Sequence, residues 1–212
     1  MSRLSAISLA ALLGLAWLGA GCAQQSQPSS FYVLSYDQRQ DQAGSTTTMR
    51  QGIALVVGPV ELPGYLDRPQ IVTRASGNQL EIEEFDRWGG RLQENFTAVL
   101  VEVLSAELET DRIAAHPSSS PLRVDFQVTV NVTKFDTDEA GRSILEARWS
   151  IVDARRQTVL VTARSVLRQD IAATPGVVGP SVDYHALAAA MSRNVAALGR
   201  EVAKQIQSLK SS

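Results

Sequence analysis

The segment LRVDFQVTVNVT, residues 122–133, constrains the fold of this chain more than any other stretch. From Leu122 to Val132 every second residue is apolar, and each residue between them is polar or charged. Because successive side chains of a strand point to opposite faces, the segment predicts a strand with one buried and one solvated face. Such a strand needs a second layer of structure to cover its apolar face.

Two later segments extend this pattern. SILEARWSIV (143–152) alternates again, and TVLVTARSVLRQDI (158–171) is rich in β-branched residues. The short polar segments DTDEAGR (136–142) and DARRQ (153–157) join these two strand candidates to the first one, residues 122–133, and to each other. Strand-like segments joined by short polar turns predict an antiparallel meander.

Shorter strand candidates precede the meander. IVTRA (71–75) and QLEIEEF (79–85) are joined by a Ser-Gly-Asn connection, which suits a hairpin. The other candidates are FYVLS (31–35), IALVVGPVEL (53–62) and a short strand over 112–115.

Two segments have helical periodicity. Apolar residues recur at spacings of three to five over residues 90–109 and of three and four over 182–209, where Ser181 is the predicted N-cap. The stripe of the last helix is typical of a coiled-coil partner or of a helix covering a sheet, and we favour the sheet.

The order of these elements predicts a two-layer α+β domain. We expect one mostly antiparallel sheet of six or seven strands, with two main helices on one face. Parallel βαβ winding is less favoured because the strands come in hairpin-linked groups.

The N-terminus has the features of an export signal. Arg3, an apolar run and small residues precede Cys22, which is the only cysteine of the chain. Serines and glycines interrupt the run, which disfavours the alternative of a transmembrane helix. The segment resembles the lipobox of bacterial lipoproteins, although Gly19 stands where leucine is usual. We therefore expect residues 1–21 to be a signal peptide and Cys22 to carry acyl chains such as palmitate.

Residues 22–30 then form a predicted flexible tether before a single periplasmic domain over residues 31–212. The tether spans at most about 25–29 Å when extended and about 15 Å as a flexible coil. The domain would therefore stay close to its membrane. With one cysteine the chain forms no internal disulfide, so its stability must come from an ordinary core.

The charge of the chain does not indicate nucleic-acid binding, and its motifs do not indicate catalysis. The formal net charge is −2, which gives no sign of nucleic-acid binding. Histidine occurs twice, and no common hydrolase, phosphate-binding or zinc motif is present. In SVDYH (181–185), Ser181, Asp183 and His185 are two residues apart and would point away from one another on a helix. We therefore expect no enzyme activity, no catalytic residue, no metal and no cofactor beyond the acyl chains.

Two segments indicate a recognition surface: GPVELPGYLDRPQIVTR (58–74) and EFDRWGGRLQENF (84–96). The Pro-Gly turn would present Tyr65 and Leu66, with Asp67 and Arg68 beside them, as candidate partner contacts. Alternatively, Tyr65 and Leu66 fold inward over the sheet edge, and the sequence leaves both interpretations open. Trp88 is a further candidate contact, although inward packing against the following helix is favoured.

The same residues resemble the PqiC-type lipoproteins, auxiliary components of ABC-type and MCE-linked lipid transport systems. The likeness covers nearly all of the mature chain, and its most specific part is VxLPxYLDRPQIVTR, followed by EEFDRW and a long closing helix. A departure is Gly89-Gly90, where family members often carry residues such as Ala-Glu-Pro.

The resemblance implies a lipid-anchored protein on the periplasmic face of the outer membrane. It would dock an MCE-domain protein whose conduit carries phospholipid or a related lipid, and so support envelope integrity. Ala23 after the acylated cysteine agrees with outer-membrane sorting. A homo-oligomer is compatible with this role. The alternatives are a periplasmic lipoprotein that itself carries lipid and a cell-wall synthase activator.

Overall fold

Two sheets and two long helices make up the part of the chain that the computed structural model describes, residues 27–36, 52–117, 123–138, 140–172 and 182–211. The predicted α+β class is confirmed. The helices are α1, Leu92–Glu107, and α2, Tyr184–Ser211. The strands are β1 Ser30–Tyr32, β2 Leu55–Glu61, β3 Gln70–Ser76, β4 Gln79–Trp88, β5 Ile113–Ala115, β6 Phe126–Thr137, β7 Ser143–Asp153 and β8 Thr158–Gln169.

The larger sheet has the strand order β5-β2-β6-β7-β8. Strands β6, β7 and β8 form the predicted antiparallel meander, with Val130 opposite Trp149 and Trp149 opposite Ala163. The alternating residues of β6 and β7 point their apolar side chains into one buried layer, as the sequence pattern predicts.

The prediction of one mostly antiparallel sheet is wrong in two respects. Strands β1, β4 and β3 form a separate three-stranded sheet, because a short 3-10 turn at Gly64–Leu66 carries the chain away from the larger one. In addition, β2 runs parallel to both β5 and β6, and β1 runs parallel to β4. The connection from β2 to β5 includes a hairpin and a helix, which is long enough to bring the chain back in the same direction.

Both helices cover the larger sheet and pack against each other. Helix α1 lies on β2 and β5, whereas α2 lies on β7 and β8. The apolar stripe of α2 is buried here, so its predicted role of covering a sheet is confirmed. Its buried members are Leu187, Met191, Val195, Leu198, Val202 and Ile206.

The helices come closest at Gly199 of α2. A Cβ atom at this position would lie 2.5 Å from Cγ1 of Val103 in α1, so only glycine allows this approach without a shift. On the sheet side of α1, Phe96 packs edge-on against Phe135 of β6, with ring centroids 5.5 Å apart.

Several predictions concern the chain ends. Residues 1–21, Cys22 and Ser181 lie outside the described residues. The side chain of Asp183 caps α2, because its Oδ1 accepts a 3.0 Å hydrogen bond from the backbone N–H of Ala186.

Within the described residues, no helix has both the length and the apolar character needed to span a bilayer.

Candidate partner-binding groove

The two segments that the sequence singles out meet in space and line one groove of about 570 Å³. One wall comes from the loop between Glu61 and Pro69, and the other runs from Trp88 to Gln93 at the start of α1. The end of the loop is joined to the end of β4 by a hydrogen bond from the Trp88 N–H to the Pro69 carbonyl oxygen, 2.6 Å long.

The loop has a defined backbone. Pro63 precedes the 3-10 turn, and its carbonyl oxygen accepts a 2.9 Å hydrogen bond from the Leu66 N–H. The Asp67 N–H donates to the Gly64 carbonyl oxygen at 3.2 Å. A proline with fixed φ before a glycine favours such a tight turn.

The predicted contact residues divide into a buried pair and an exposed pair. Leu66 and Trp88 are each only 4% exposed and line the groove from inside. Asp67 and Arg68 are exposed and form its rim. Tyr65 is half-buried. Of the two interpretations that the sequence leaves open, inward folding therefore holds for Tyr65 and Leu66, and Trp88 packs inward as favoured.

A fully buried carboxylate, Asp136 at the end of β6, holds the loop in place. Its Oδ2 accepts a 2.9 Å hydrogen bond from the Tyr65 hydroxyl and a 2.8 Å hydrogen bond from Nη2 of Arg74. Lys134 Nζ lies 3.7 Å from the other carboxylate oxygen. The two hydrogen bonds to Oδ2 and the two nearby cations compensate for burial of the charge, although Oδ1 accepts no hydrogen bond from the described residues.

The electrostatics of this network favour a neutral Tyr65 and a charged Arg74. Burial, together with the negative charge of Asp136, raises the pKa of Tyr65 to about 12. The hydrogen bond to Asp136 raises the pKa of Arg74 above its ordinary value. At neutral pH the tyrosine therefore donates its hydroxyl proton to a carboxylate that also neutralises an arginine.

Sequence reasoning missed Asp136, which it assigned to a polar turn over residues 136–142. Strand β6 instead continues to Thr137, and its register with β7 shifts between Val132 and Lys134. The shift ends strict alternation, so Phe135, Asp136 and Thr137 are all buried. The one available signal was Phe135, an aromatic residue next to the supposed turn.

The rim of the groove carries weakly paired charges. Arg91 lies 3.6 Å from Asp67 and 3.6 Å from Glu94, and all three side chains are more than half exposed. Arg91 is also the N-cap residue of α1, and its side chain makes no capping hydrogen bond. Exposed pairs of this kind contribute little to stability, so their side chains can be rearranged around a partner at small cost.

Metal ligands do not cluster in the part of the chain that the structure describes: no group of three or more His, Cys, Asp or Glu side chains is placed to hold an ion. The two histidines belong to different elements. His116 follows β5, and His185 lies exposed in the first turn of α2.

Residues 32–203 match the sequence profile described as the ABC-type transport auxiliary lipoprotein component. This chain belongs to that family. The predicted resemblance to PqiC-type lipoproteins is thereby confirmed. Members are auxiliary components of ABC-type transport, so the chain is a transport-associated lipoprotein and belongs to a family that is not an enzyme family.

Solved structures support the fold. A crystal structure described as an uncharacterized protein is similar with a TM-score of 0.63 and 19% identity, over 85% of this chain and 99% of that chain. A Xanthomonas campestris protein of the DUF330 family has a TM-score of 0.62 and 16% identity, over 82% and 93%. At these identities the likeness shows the fold alone. The comparison with curated proteins gave no match.

Proposed function

We propose that this lipoprotein docks the MCE-domain protein of a trans-envelope lipid transport system at the outer membrane, with the groove as its docking surface. The observation that carries the proposal is the convergence of residues 61–69 and 88–93. These two segments flank the β3–β4 hairpin, include the most family-like residues and line one cavity.

The groove has the anatomy of a protein contact site. Its buried residues Leu66 and Trp88 give it an apolar floor, and Asp67, Arg68 and Arg91 give it a charged rim. Protein interfaces combine an apolar centre, which supplies most of the affinity, with a polar rim that selects the partner. An apolar side chain of the MCE-domain protein would enter the groove, and its charges would meet the rim.

The network around Asp136 supports this role because it fixes the loop before any partner arrives. The Tyr65 hydroxyl and Arg74 both bind the same buried oxygen atom. A loop that is already ordered loses little conformational freedom on binding, so more of the contact energy appears as affinity.

The proposed anchor supports docking at the membrane. Acyl chains on Cys22 would hold the domain in the periplasmic leaflet of the outer membrane, since two or more chains bind a bilayer durably. A tether that spans at most about 29 Å does not let the domain cross the envelope alone. The distance to the inner membrane would be spanned by the MCE-domain protein, which passes phospholipid or a related lipid.

The docking surface is tested by filling the groove. A side chain placed on Gly90 meets no atom within 4 Å at its Cβ, so Gly90→Trp adds a large ring at the groove wall with no clash at that atom. The matched control is Val159→Trp, at a residue of β8 that is 62% exposed. We expect the MCE-domain protein to co-purify with wild type and the control but not with Gly90→Trp.

Equal co-purification of the MCE-domain protein with wild type, Val159→Trp and Gly90→Trp would show that the groove is not the docking surface. Serine substitutions at Tyr65 and Leu66 are a poorer test, because both side chains support the fold and their loss would change more than the surface.

The anchor is tested separately by mass spectrometry of the protein extracted from membranes. We expect acyl chains on Cys22 and recovery in the outer-membrane fraction. The Cys22→Ser chain should leave that fraction. A wild-type chain with a free thiol in the soluble periplasm would contradict the anchor.

A second candidate function, direct lipid carriage, is favoured by one observation, the apolar floor of a cavity whose volume suits a small ligand. The interface between the larger sheet and the helices offers no such space, since buried side chains fill it. Native mass spectrometry of the Cys22→Ser chain distinguishes the two functions. A retained lipid that Gly90→Trp displaces would favour carriage.

A further inference from the structure

Phe31 and Val33 are unusually exposed for apolar side chains. They are 67% and 60% exposed, whereas Leu34 is 3% exposed and Tyr32 packs against the core. Side chains of an extended segment alternate between faces, so Phe31 and Val33 point outward while their neighbours point inward. The start of the domain therefore presents apolar side chains on its outer face.

Phe85 extends this outer face onto β4. The parallel register places Phe31 opposite Arg87, and Phe85 is two residues before Arg87 on the same strand. Phe85 is 40% exposed. We define the β1 apolar face as Phe31, Val33 and Phe85. Arg87 shares this face, but its guanidinium is hydrogen-bonded to Glu84, so the face carries no uncompensated positive charge from it.

The position of this face in the chain indicates what covers it. Phe31 is nine residues after Cys22, so the two residues are at most about 30–32 Å apart and about 16 Å apart for a flexible coil. An anchor at Cys22 would keep the face at a high effective concentration beside the leaflet, which lowers the cost of a second contact.

We propose that the β1 apolar face inserts into the acyl region of the periplasmic leaflet and forms a second lipid contact beside the acyl chains. This inference rests on the proposed lipid anchor at Cys22. We expect the contact to be with acyl chains rather than with headgroups. The neighbouring strand β4 carries Glu81, Glu83 and Glu84, and these negative side chains are not attracted to anionic headgroups.

Insertion would also fix the orientation of the groove. The Gly89 N–H donates a 2.8 Å hydrogen bond to the Tyr32 carbonyl oxygen, and a Cβ atom on Gly89 would lie 3.2 Å from Cγ1 of Val33. Gly89 also lines the groove. The β1 apolar face and the groove are therefore rigidly joined, and a partner in the groove would lie next to the bilayer surface.

The experiment uses the single cysteine of the chain. Once Cys22 is acylated, a cysteine introduced at another position provides the only free thiol. Acylated Phe31→Cys and Val159→Cys are labelled with an environment-sensitive dye and reconstituted into vesicles of phosphatidylethanolamine and phosphatidylglycerol. The two parent residues are 67% and 62% exposed, so Val159 is a matched control on β8. Nitroxide groups on the acyl chains then quench any dye that enters the leaflet.

We expect quenching of the dye at position 31 to exceed that at position 159 by about twofold or more, because an inserted face lies some 5–10 Å deep. Flotation with the vesicles reports on the anchor independently. Flotation with equal quenching at both positions would overturn the insertion and leave the anchor intact, whereas absence of flotation would overturn both.

A second copy of the chain is the competing occupant, since β1 is an edge strand of its sheet. Its signature would be energy transfer between labelled copies at position 31, without nitroxide quenching. That result would also overturn the proposal.

Discussion

The five-stranded sheet and the three-stranded sheet are stabilised by different interactions. The first is covered by two helices, and apolar side chains from both layers fill the space between them. The second has an irregular register between β3 and β4 and a loop held by a buried carboxylate. In this molecule the first region supplies most of the packing, and the second carries the two surfaces that we propose meet other molecules.

The two regions meet at consecutive residues of β6. Phe135 packs against Phe96 of α1, whereas Asp136 binds Tyr65 and Arg74 of the smaller region. Substitutions at these contacts should therefore separate a global effect on stability from a local effect on the groove.

The largest expected effect comes from Phe135→Ala. Removing a fully buried ring from the helix–sheet interface should lower the free energy of unfolding by about 4 kcal/mol, measured by urea denaturation. Phe31→Ala is the matched control, because that ring is 67% exposed and its loss should cost less than about 0.5 kcal/mol. Similar losses in the two variants would contradict the division into regions.

Gly199→Ala should have the next largest effect. Its Cβ atom would lie 2.5 Å from Cγ1 of Val103, so the helices must separate, and we expect a loss of about 2 kcal/mol. Val103→Ala removes the nearer obstructing atom and leaves its own Cβ, 2.9 Å from the new Cβ atom, so the double variant should recover part of that loss. An additive double variant would mean that the two helices do not meet at these residues.

Tyr65→Phe should have a smaller and more local effect. It removes one hydrogen bond to a buried carboxylate that Arg74 still binds, so we expect a loss of about 1 kcal/mol. Hydrogen exchange should accelerate over residues 62–68 and stay unchanged in β7. Uniform acceleration throughout the domain would show that the loop is not a separate unit of stability.

The same hydroxyl predicts a dependence on alkaline pH. The pKa of Tyr65 is raised in the folded protein from 10.0 to about 12, so the folded state holds this proton more tightly than the unfolded state. Its stabilising contribution is complete below pH 10 and is lost as the pH rises to about 12. The stability advantage of wild type over Tyr65→Phe should shrink over that range. A constant difference would contradict the raised pKa.

The smallest effect on stability is expected from Asp67→Asn. The Asp67–Arg91 pair is exposed and 3.6 Å long, so its loss should change the free energy of unfolding by less than about 0.5 kcal/mol. Capture of the MCE-domain protein should nevertheless weaken, because the rim charge changes. Asp111→Asn, at an exposed residue outside the groove, should leave both quantities unchanged.

The sequence predicts the first region better than the second, for a physical reason. Alternation from Leu122 to Val132 and the stripe of α2 depend on local periodicity, which the chain displays directly. The pairing of β2 with β5 and the division into two sheets depend on contacts between distant segments, which periodicity does not encode.

The sequence predicts the groove only in part. Turn chemistry at Pro63-Gly64 and the motif around Trp88 identified both of its walls, but local turn chemistry did not decide between the outward and inward orientations of Tyr65 and Leu66. Asp136 escaped detection because a register shift in β6 changes which residues are buried. A shift of this kind is fixed by the neighbouring strand and leaves no local pattern.

We propose that the groove, and no other surface, receives the MCE-domain protein. Hydrogen exchange of the acylated chain in vesicles, with and without purified MCE-domain protein, tests it most directly. We predict slower exchange at residues 61–69 and 88–93 and unchanged exchange along β8. Protection along β8 with none in the groove would contradict the claim.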